Sequence, residues 1–273
     1  NIEEDPIALP AIVDAIPLLR DLAGVIAATA EPFKLLVTAT ASGLDVAATG
    51  SGALSAARRQ AATRFVIDKS IARLSVDGEI VVEPKKPQII VGEVDVYPPP
   101  GAFLQAVETA EAAMAGLVTA HLLKAKKVAD LFSGIGTFAL RLARSSTVHA
   151  VEGEAAALAA LDRAFRYGEG LKTVTTERRD LARRPLTWKE LNAYDGLVFD
   201  PPRAGAEDQA RQIARSDVRF VAAVSCNPAT LARDLSILVE GGYRLISATP
   251  IDQFLWSHHV EAVALLEKPK KRR

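Results

Sequence analysis

Residues 99–273 predict an α/β domain on a mostly parallel sheet with an antiparallel edge strand, and residues 1–98 predict a smaller α+β domain ahead of it. Three observations carry this reading. After "VYPPPGAF" (96–103) apolar strand patterns alternate with helical ones, and such alternation calls for a parallel sheet covered on both faces. The last two strand patterns, "YRLISATP" and "VEAVALLEK", have no helix between them, which makes an antiparallel edge. Before the prolines the pattern is uneven, with short alternating pieces among helices.

The first half opens with a helical spacing of Ile12, Ile16, Leu19 and Leu22 within residues 10–29. "FKLLVTAT", a Ser42-Gly43 turn and "LDVAAT" read as paired strands, followed by a helix near 53–63. "RFVIDKSIARLSVDGEIVVE" (64–83) carries Asp77-Gly78, a hairpin signal. Three consecutive prolines then form a stiff boundary, since they continue neither a helix nor a central strand. Beyond them a helix over 104–123 leads to the strand "KVADLF" (127–132), a glycine turn and a helix "GTFALRLARS". Strands follow at 147–153, 173–177, 194–200 and 218–225, with an alanine-rich helix at 154–167.

Composition narrows the function classes. The chain is 49% hydrophobic and 24% charged, the profile of a globular protein, and its 33 basic residues balance 33 acidic ones. A dedicated nucleic-acid module usually has pI above ~9, so RNA or DNA would bind local patches: "ERRDLARR" (177–184), Lys85-Lys86 or the terminal "KPKKRR", itself read as a solvated tail. One cysteine excludes an internal disulfide and a four-cysteine metal site, and it suits a reducing, cytoplasmic compartment. No apolar run reaches the ~18–20 residues of a membrane span. The acidic start "NIEEDPIALP" lacks Met and a signal-peptide pattern, and reads as a fragment or processed chain.

In an open parallel sheet, ligands sit at the carboxyl ends of the strands, and the polar oddities of this sequence fall there. "DLFSGIGTFAL" (130–140) places Gly134 and Gly136 between a strand and a helix, where backbone approaches a ligand closely; Glu152 ends the next strand, where a carboxylate accepts from ribose hydroxyls. Taken alone, G-x-G-x-x-A fits an NAD(P) site as well as an S-adenosylmethionine site. "VFDPPRAG" (198–205) fixes Asp200 at another strand end, which a dehydrogenase does not need. In "AVSCNPATLARD" (223–234) Cys226 directly follows a strand and precedes a helix, whose dipole is expected to lower the thiol pKa. Arg233 either helps or pairs with Asp234. In "DQFLWSHHVEAVALLEK", Glu261 starts an apolar strand and reads as a general base, with His259 as a positioning group. No carboxylate or cysteine spacing completes a metal site around His258 and His259.

"DLFSGIGTF", "DPPRAG", "SCNPATLARDL" and "HHVE", in that order and spacing, resemble the RNA 5-methyluridine methyltransferases, which act on uracils of tRNA or 23S rRNA. "AFLQA" (102–106) is similar to the family's Phe-x-Gln segment. The resemblance is strong over about 100–267 and looser before. It implies a Rossmann-like, S-adenosylmethionine-dependent methyltransferase domain with RNA as partner. Gln105, Phe132, Gly134, Gly136, Thr137, Glu152, Asp180 and Asp200 fall at cofactor-contacting positions, with Cys226 as nucleophile and Glu261 as base. Arg203 and His259 fall on the substrate side. Ser133 replaces a cysteine common in the family, Leu255-Trp256 replaces the usual Pro after Phe254, and Asp5 stands where some members have an iron–sulfur ligand, so no cluster is expected. No membrane and no obligate protein partner are implied. Two other readings stay open: an S-adenosylmethionine methyltransferase with a different substrate, and a non-catalytic RNA-binding protein.

Overall fold

The computed structural model describes Asp5 and residues 7–269. Residues 1–4, residue 6 and the basic residues 270–273 lie outside that range. The chain divides into two compact units: one runs up to Ile89 and includes Tyr97–Phe103, and the other comprises Ile90–Val96 and everything from Leu104.

The first unit begins with α1 (Pro10–Val13) and α2 (Ile16–Ile26), followed by β1 (Lys34–Thr40), β2 (Gly43–Thr49), α3 (Ala56–Asp68), β3 (Arg73–Val76) and β4 (Glu79–Val82). The four strands form one sheet in sequence order, parallel only between β2 and β3, where α3 makes the crossover. Ser55 starts α3 by accepting from the Arg58 amide at 3.3 Å. That helix runs to Asp68, so "RFVID" is helical rather than part of the strand pattern. Its Ala62 and Val66 face α2 through Leu22 and Ile26, all fully buried. Asp77 and Gly78 both have positive φ, as a tight hairpin turn requires. Across the β2–β3 pairing, Arg73 makes a buried bidentate pair with Asp45 at 2.6 and 2.8 Å and donates to the Pro98 carbonyl.

The second unit contains a small hairpin, β5 (Ile89–Val91) and β6 (Val94–Val96), which the sequence pattern does not reveal; Ile89 itself belongs to the first unit. Then come α4 (Glu108–Leu122), β7 (Lys127–Leu131), α5 (Ala139–Leu142), β8 (Thr147–Glu152), α6 (Ala155–Tyr167) and β9 (Val174–Arg178). The series ends with α7 (Trp188–Leu191), β10 (Gly196–Phe199), α8 (Glu207–Arg215), β11 (Phe220–Ser225), α9 (Pro228–Glu240), β12 (Arg244–Ile251) and β13 (Glu261–Glu267). The sheet order is β12-β13-β11-β10-β7-β8-β9. β7 to β11 are mutually parallel, while β13 is antiparallel to β11 and β12, which is the edge arrangement expected from the missing helix. Ala129, Leu131, Leu197, Phe199, Val221 and Ala223 point from the central strands into one core with Ala210, Ile213 and Leu238 of α8 and α9. Lys268, expected in a solvated tail, instead donates to the carbonyls of Ala214 and Ser216. No helix of the described residues is long and apolar enough to cross a membrane.

Candidate active site

Parallel strands end on the same side of a sheet, so Leu131, Glu152, Phe199 and Ser225 terminate along one edge. The sheet order changes direction between β7 and β10, the position where open α/β sheets bind ligands. β13 runs the other way and therefore starts at this edge. The pairing of Ser225 with Ala262 sets Cys226 beside Glu261.

The glycine loop leaves β7 through Phe132 at φ 61°, with Gly134 at 53° and Gly136 at 102°. Phe132 is a bulky residue in a region that disfavours it, a strain of ~1–3 kcal/mol held by its surroundings. Around it the Ser133 amide donates to the Val151 carbonyl, and Gly136 to the Ser133 carbonyl at 2.9 Å. A Cβ on Gly136 would collide with Leu161. Glu152 ties the loop to β8, its carboxylate accepting from the Gly134 amide at 2.9 Å and the Glu154 amide at 2.8 Å. The regular helix after the loop is only Ala139–Leu142, shorter than the sequence suggests, so backbone amides rather than a long helix dipole polarise this corner.

Asp130, under the loop, is fully buried; the Ala139 amide is near enough to favour its charged form, but neither oxygen makes a well-formed hydrogen bond among the described residues. Burial pushes its carboxyl well above the usual range, with Asp200 adding to the effect. The Ser133 hydroxyl is buried and unpartnered as well. Orphaned polar atoms beneath a close-approach glycine loop fit a polar cofactor laid against that loop. Thr137 is half-buried in the same loop. Asp180, after β9, caps a turn by accepting from the amides of Ala182 and Arg183, and a Cβ on Gly153 would lie 3.8 Å from its Cα.

Cys226 is half-buried with carboxylates for neighbours. Burial, Glu261 and Asp200 push its thiol up, and Arg203 offsets only part of this. The expected lowering by the helix dipole therefore does not prevail: burial first, and two nearby carboxyls second, outweigh a partial positive charge. Asp200 is pushed up to about 7 by burial first and Glu261 second, although it keeps some surface at the sheet edge. Glu261 is itself raised by burial, against the pull of its Gln253 hydrogen bond and Arg203. Arg203 donates to His259 Nδ1 at 2.7 Å, which makes that nitrogen an acceptor and keeps the ring neutral; burial, His258 and Arg203 all lower its pKa.

The rest of "NPATLARD" serves the loop holding Arg203. Asn227 caps α9 and donates to the Arg203 carbonyl at 3.0 Å, and Thr230 donates to it at 3.3 Å. Arg233 donates to the Ala204 carbonyl, and buried Asp234 accepts from the Ala206 amide at 2.7 Å. Arg233 thus pairs with Asp234, and Arg203 is the cation acting on Cys226. In the basic patch, Arg179 is already committed to Glu177 and Glu190.

Two residues went unassigned in the sequence. Asp130 is one; its only signal is a carboxylate inside an apolar strand. The other is Gln253, 4% exposed, whose amide donates to Gln105 Oε1 at 3.1 Å and Glu261 Oε1 at 3.0 Å. That link brings Gln105, distant in sequence, to Glu261. No group of three or more His, Cys, Asp or Glu suited to a metal ion occurs among the described residues.

Comparison with known proteins agrees with this architecture. An RNA methyltransferase of Mesorhizobium japonicum is 66% identical over the whole chain, which spans 66% of that protein's length. The 23S rRNA (uracil(1939)-C(5))-methyltransferase of Hahella chejuensis is 42% identical over 149 residues, 52% of this chain and 33% of that protein. The crystal structure of Pyrococcus abyssi tRNA (uracil-54, C5)-methyltransferase in complex with S-adenosyl-L-homocysteine superposes with a TM-score of 0.78 at 22% identity. It covers 97% of this chain and 68% of that one, and shows a shared fold. Residues 99–269, which hold the glycine loop, Cys226 and Glu261, match the profile of the tRNA (uracil-5-)-methyltransferases, and the chain belongs to that family.

Proposed function

We propose that this chain transfers a methyl group from S-adenosylmethionine to C5 of a uridine in RNA, through a covalent bond between Cys226 and uracil C6. The observation that carries the reading is the placement of Cys226 and Glu261 side by side at the sheet edge that also bears the glycine loop. Gln105, Phe132, Gly134, Gly136, Thr137, Glu152, Asp180 and Asp200 would hold the cofactor, whose sulfonium supplies an electrophilic methyl group when bound.

The chain's own residues do the rest. Uracil C5 is a weak nucleophile until a thiolate adds at C6 and turns C4–O into an enolate, so Cys226, after giving its S–H proton to solvent, splits one hard step into easier ones; Glu261 returns a proton to the thiolate at the end of the cycle. After C5 has gained the methyl group its proton must leave. Glu261 takes that proton, the C5–H electron pair becomes the C5=C6 double bond, and the Cys226 thiolate departs. General-base help of this kind is worth about 10²–10⁴-fold. Arg203 and His259 face the same place and are assigned to the substrate, with Arg203 suited to a carbonyl or phosphate oxygen. The target must be unstacked to be reached on both faces, which favours a loop of tRNA or 23S rRNA.

The test uses unmodified tRNA and 23S rRNA transcripts with radiolabelled S-adenosylmethionine, and the same transcripts made with 5-fluorouridine. Product 5-methyluridine is expected from one class, with a covalent adduct on the fluorinated RNA because fluorine does not leave as the proton does. Cys226→Ala abolishes both. Methylation that survives Cys226→Ala would rule the covalent route out.

A further inference from the structure

Gln253 has an incomplete hydrogen-bond inventory. Its NH₂ group spends both protons on Gln105 Oε1 and Glu261 Oε1, while its own Oε1 is buried with no partner among the described residues. An unsatisfied buried acceptor costs ~1–3 kcal/mol and calls for a reason.

The reason lies in what Glu261 must do. A carboxylate about to take a proton needs a donor to hold it, which the Gln253 amide supplies. Once protonated, the same oxygen carries O–H and needs an acceptor. The oxygen and nitrogen of an amide are nearly the same size, so a half-turn of the Gln253 amide exchanges one for the other without repacking. Oε1 on the far side of the amide has no partner among the described residues, so the bonds to Glu261 and Gln105 decide which way the amide points. Gln105 is also an amide and matches the turn by presenting its own NH₂.

We propose that Gln253 is a positioning residue for proton removal: it donates to Glu261 while the carboxylate is charged, and turns its amide to accept from Glu261 once the C5 proton has arrived. The balance is that of the step above: the C5–H bond breaks, Glu261 Oε1–H forms, and the electron pair of C5–H expels the Cys226 thiolate. Gln253 exchanges no proton; it changes which of its atoms faces Glu261. Through Gln105 the same turn reaches the cofactor side. This rests on the assignment of Glu261 as base.

Proton removal follows thiol addition and methyl transfer, and 5-fluorouridine RNA stops before it. Gln253→Met keeps the length and removes both hydrogen-bonding functions. With whichever transcript takes the methyl group, Gln253→Met is expected to turn over about 10²-fold more slowly at unchanged KM for S-adenosylmethionine. It should accumulate covalent enzyme–RNA complex on ordinary uridine, and form the 5-fluorouridine adduct at the wild-type rate. Wild-type trapping also reports that the variant is folded. Glu261→Gln is run beside it. If Glu261→Gln stalls with accumulated complex while Gln253→Met turns over normally, or if Gln253→Met slows trapping and turnover equally, this inference is overturned and the base stands. If Glu261→Gln turns over like wild type, the base assignment fails and takes the inference with it.

Discussion

Cys226 reaches its place with a thiol that burial, and then the Glu261 and Asp200 carboxylates, push up and hold protonated in the resting protein, Arg203 offsetting only part of this. Reactivity should therefore depend on those charges. As the sole cysteine it can be followed by alkylation with iodoacetamide against pH. The midpoint is expected above the ordinary thiol range, lower in Glu261→Gln and in Asp200→Asn, and higher in Arg203→Met; an unchanged midpoint in all three would show that burial alone sets it. Asp200 also ties stability to pH. Its folded pKa of about 7 lies above its unfolded value of 3.8, so the folded state retains a proton that the unfolded chain releases. Its contribution is fully present below about pH 4, declines as pH rises, and is gone above about pH 7. Thermal melts from pH 4 to 8 should show Asp200→Asn losing less stability than wild type across that window, with the variant the more stable at pH 8.

Helix α9 acts as a clamp on the turn after β10. Four of its side chains or cap residues bind backbone groups of residues 203–206, so one helix positions both Cys226 before it and Arg203 opposite. Gly205 is where the clamp leaves no room: φ is +75°, and a Cβ there would lie 2.5 Å from Arg233 Nη2 and 2.9 Å from Asp234 Oδ2. Gly205→Ala is expected to cost about 1–3 kcal/mol in urea denaturation and to weaken RNA binding more than cofactor binding. Equal weakening of both would show that the clamp serves the whole edge rather than the Arg203 turn.

Across the whole molecule, each compact unit has a buried hydrophobic cluster among its described residues. Leu22 is fully buried in the first unit, and the proposed cofactor residues all belong to the second. Leu22→Ala should lower stability by about 2–5 kcal/mol, measured by denaturant unfolding. S-adenosylhomocysteine at a hundred times its Kd should add about 2.7 kcal/mol in wild type and in Leu22→Ala alike. Glu152→Ala, which frees the Gly134 and Glu154 amides, should lose that increment. A Glu152→Ala protein stabilised as much as wild type would remove Glu152 from the cofactor site.

What was legible in the sequence was local. Periodicity gave the order of the strands after the prolines but not the helices α7 and α8 between the later ones, Asp77-Gly78 gave a turn that two residues suffice to specify, and the helix-free ending gave the antiparallel edge. Strand-end positions singled out Glu152, Asp200 and Cys226, because a parallel sheet sends all its carboxyl ends to one side. Missed were the β5–β6 hairpin, whose three-residue strands are too short for a period to register, and the continuation of α3 through "RFVID", where burial against α2 overrides strand-like composition. Residue types and spacing thus determined by themselves the fold class and the candidate groups at the sheet edge. The tertiary structure alone decided their electrostatics and their company: a thiol raised rather than lowered, Arg203 rather than Arg233 as its cation, and Gln253 joining Gln105 to Glu261. A pKa or a hydrogen bond depends on distances through space between residues as far apart as 105 and 253, and sequence order does not carry those distances.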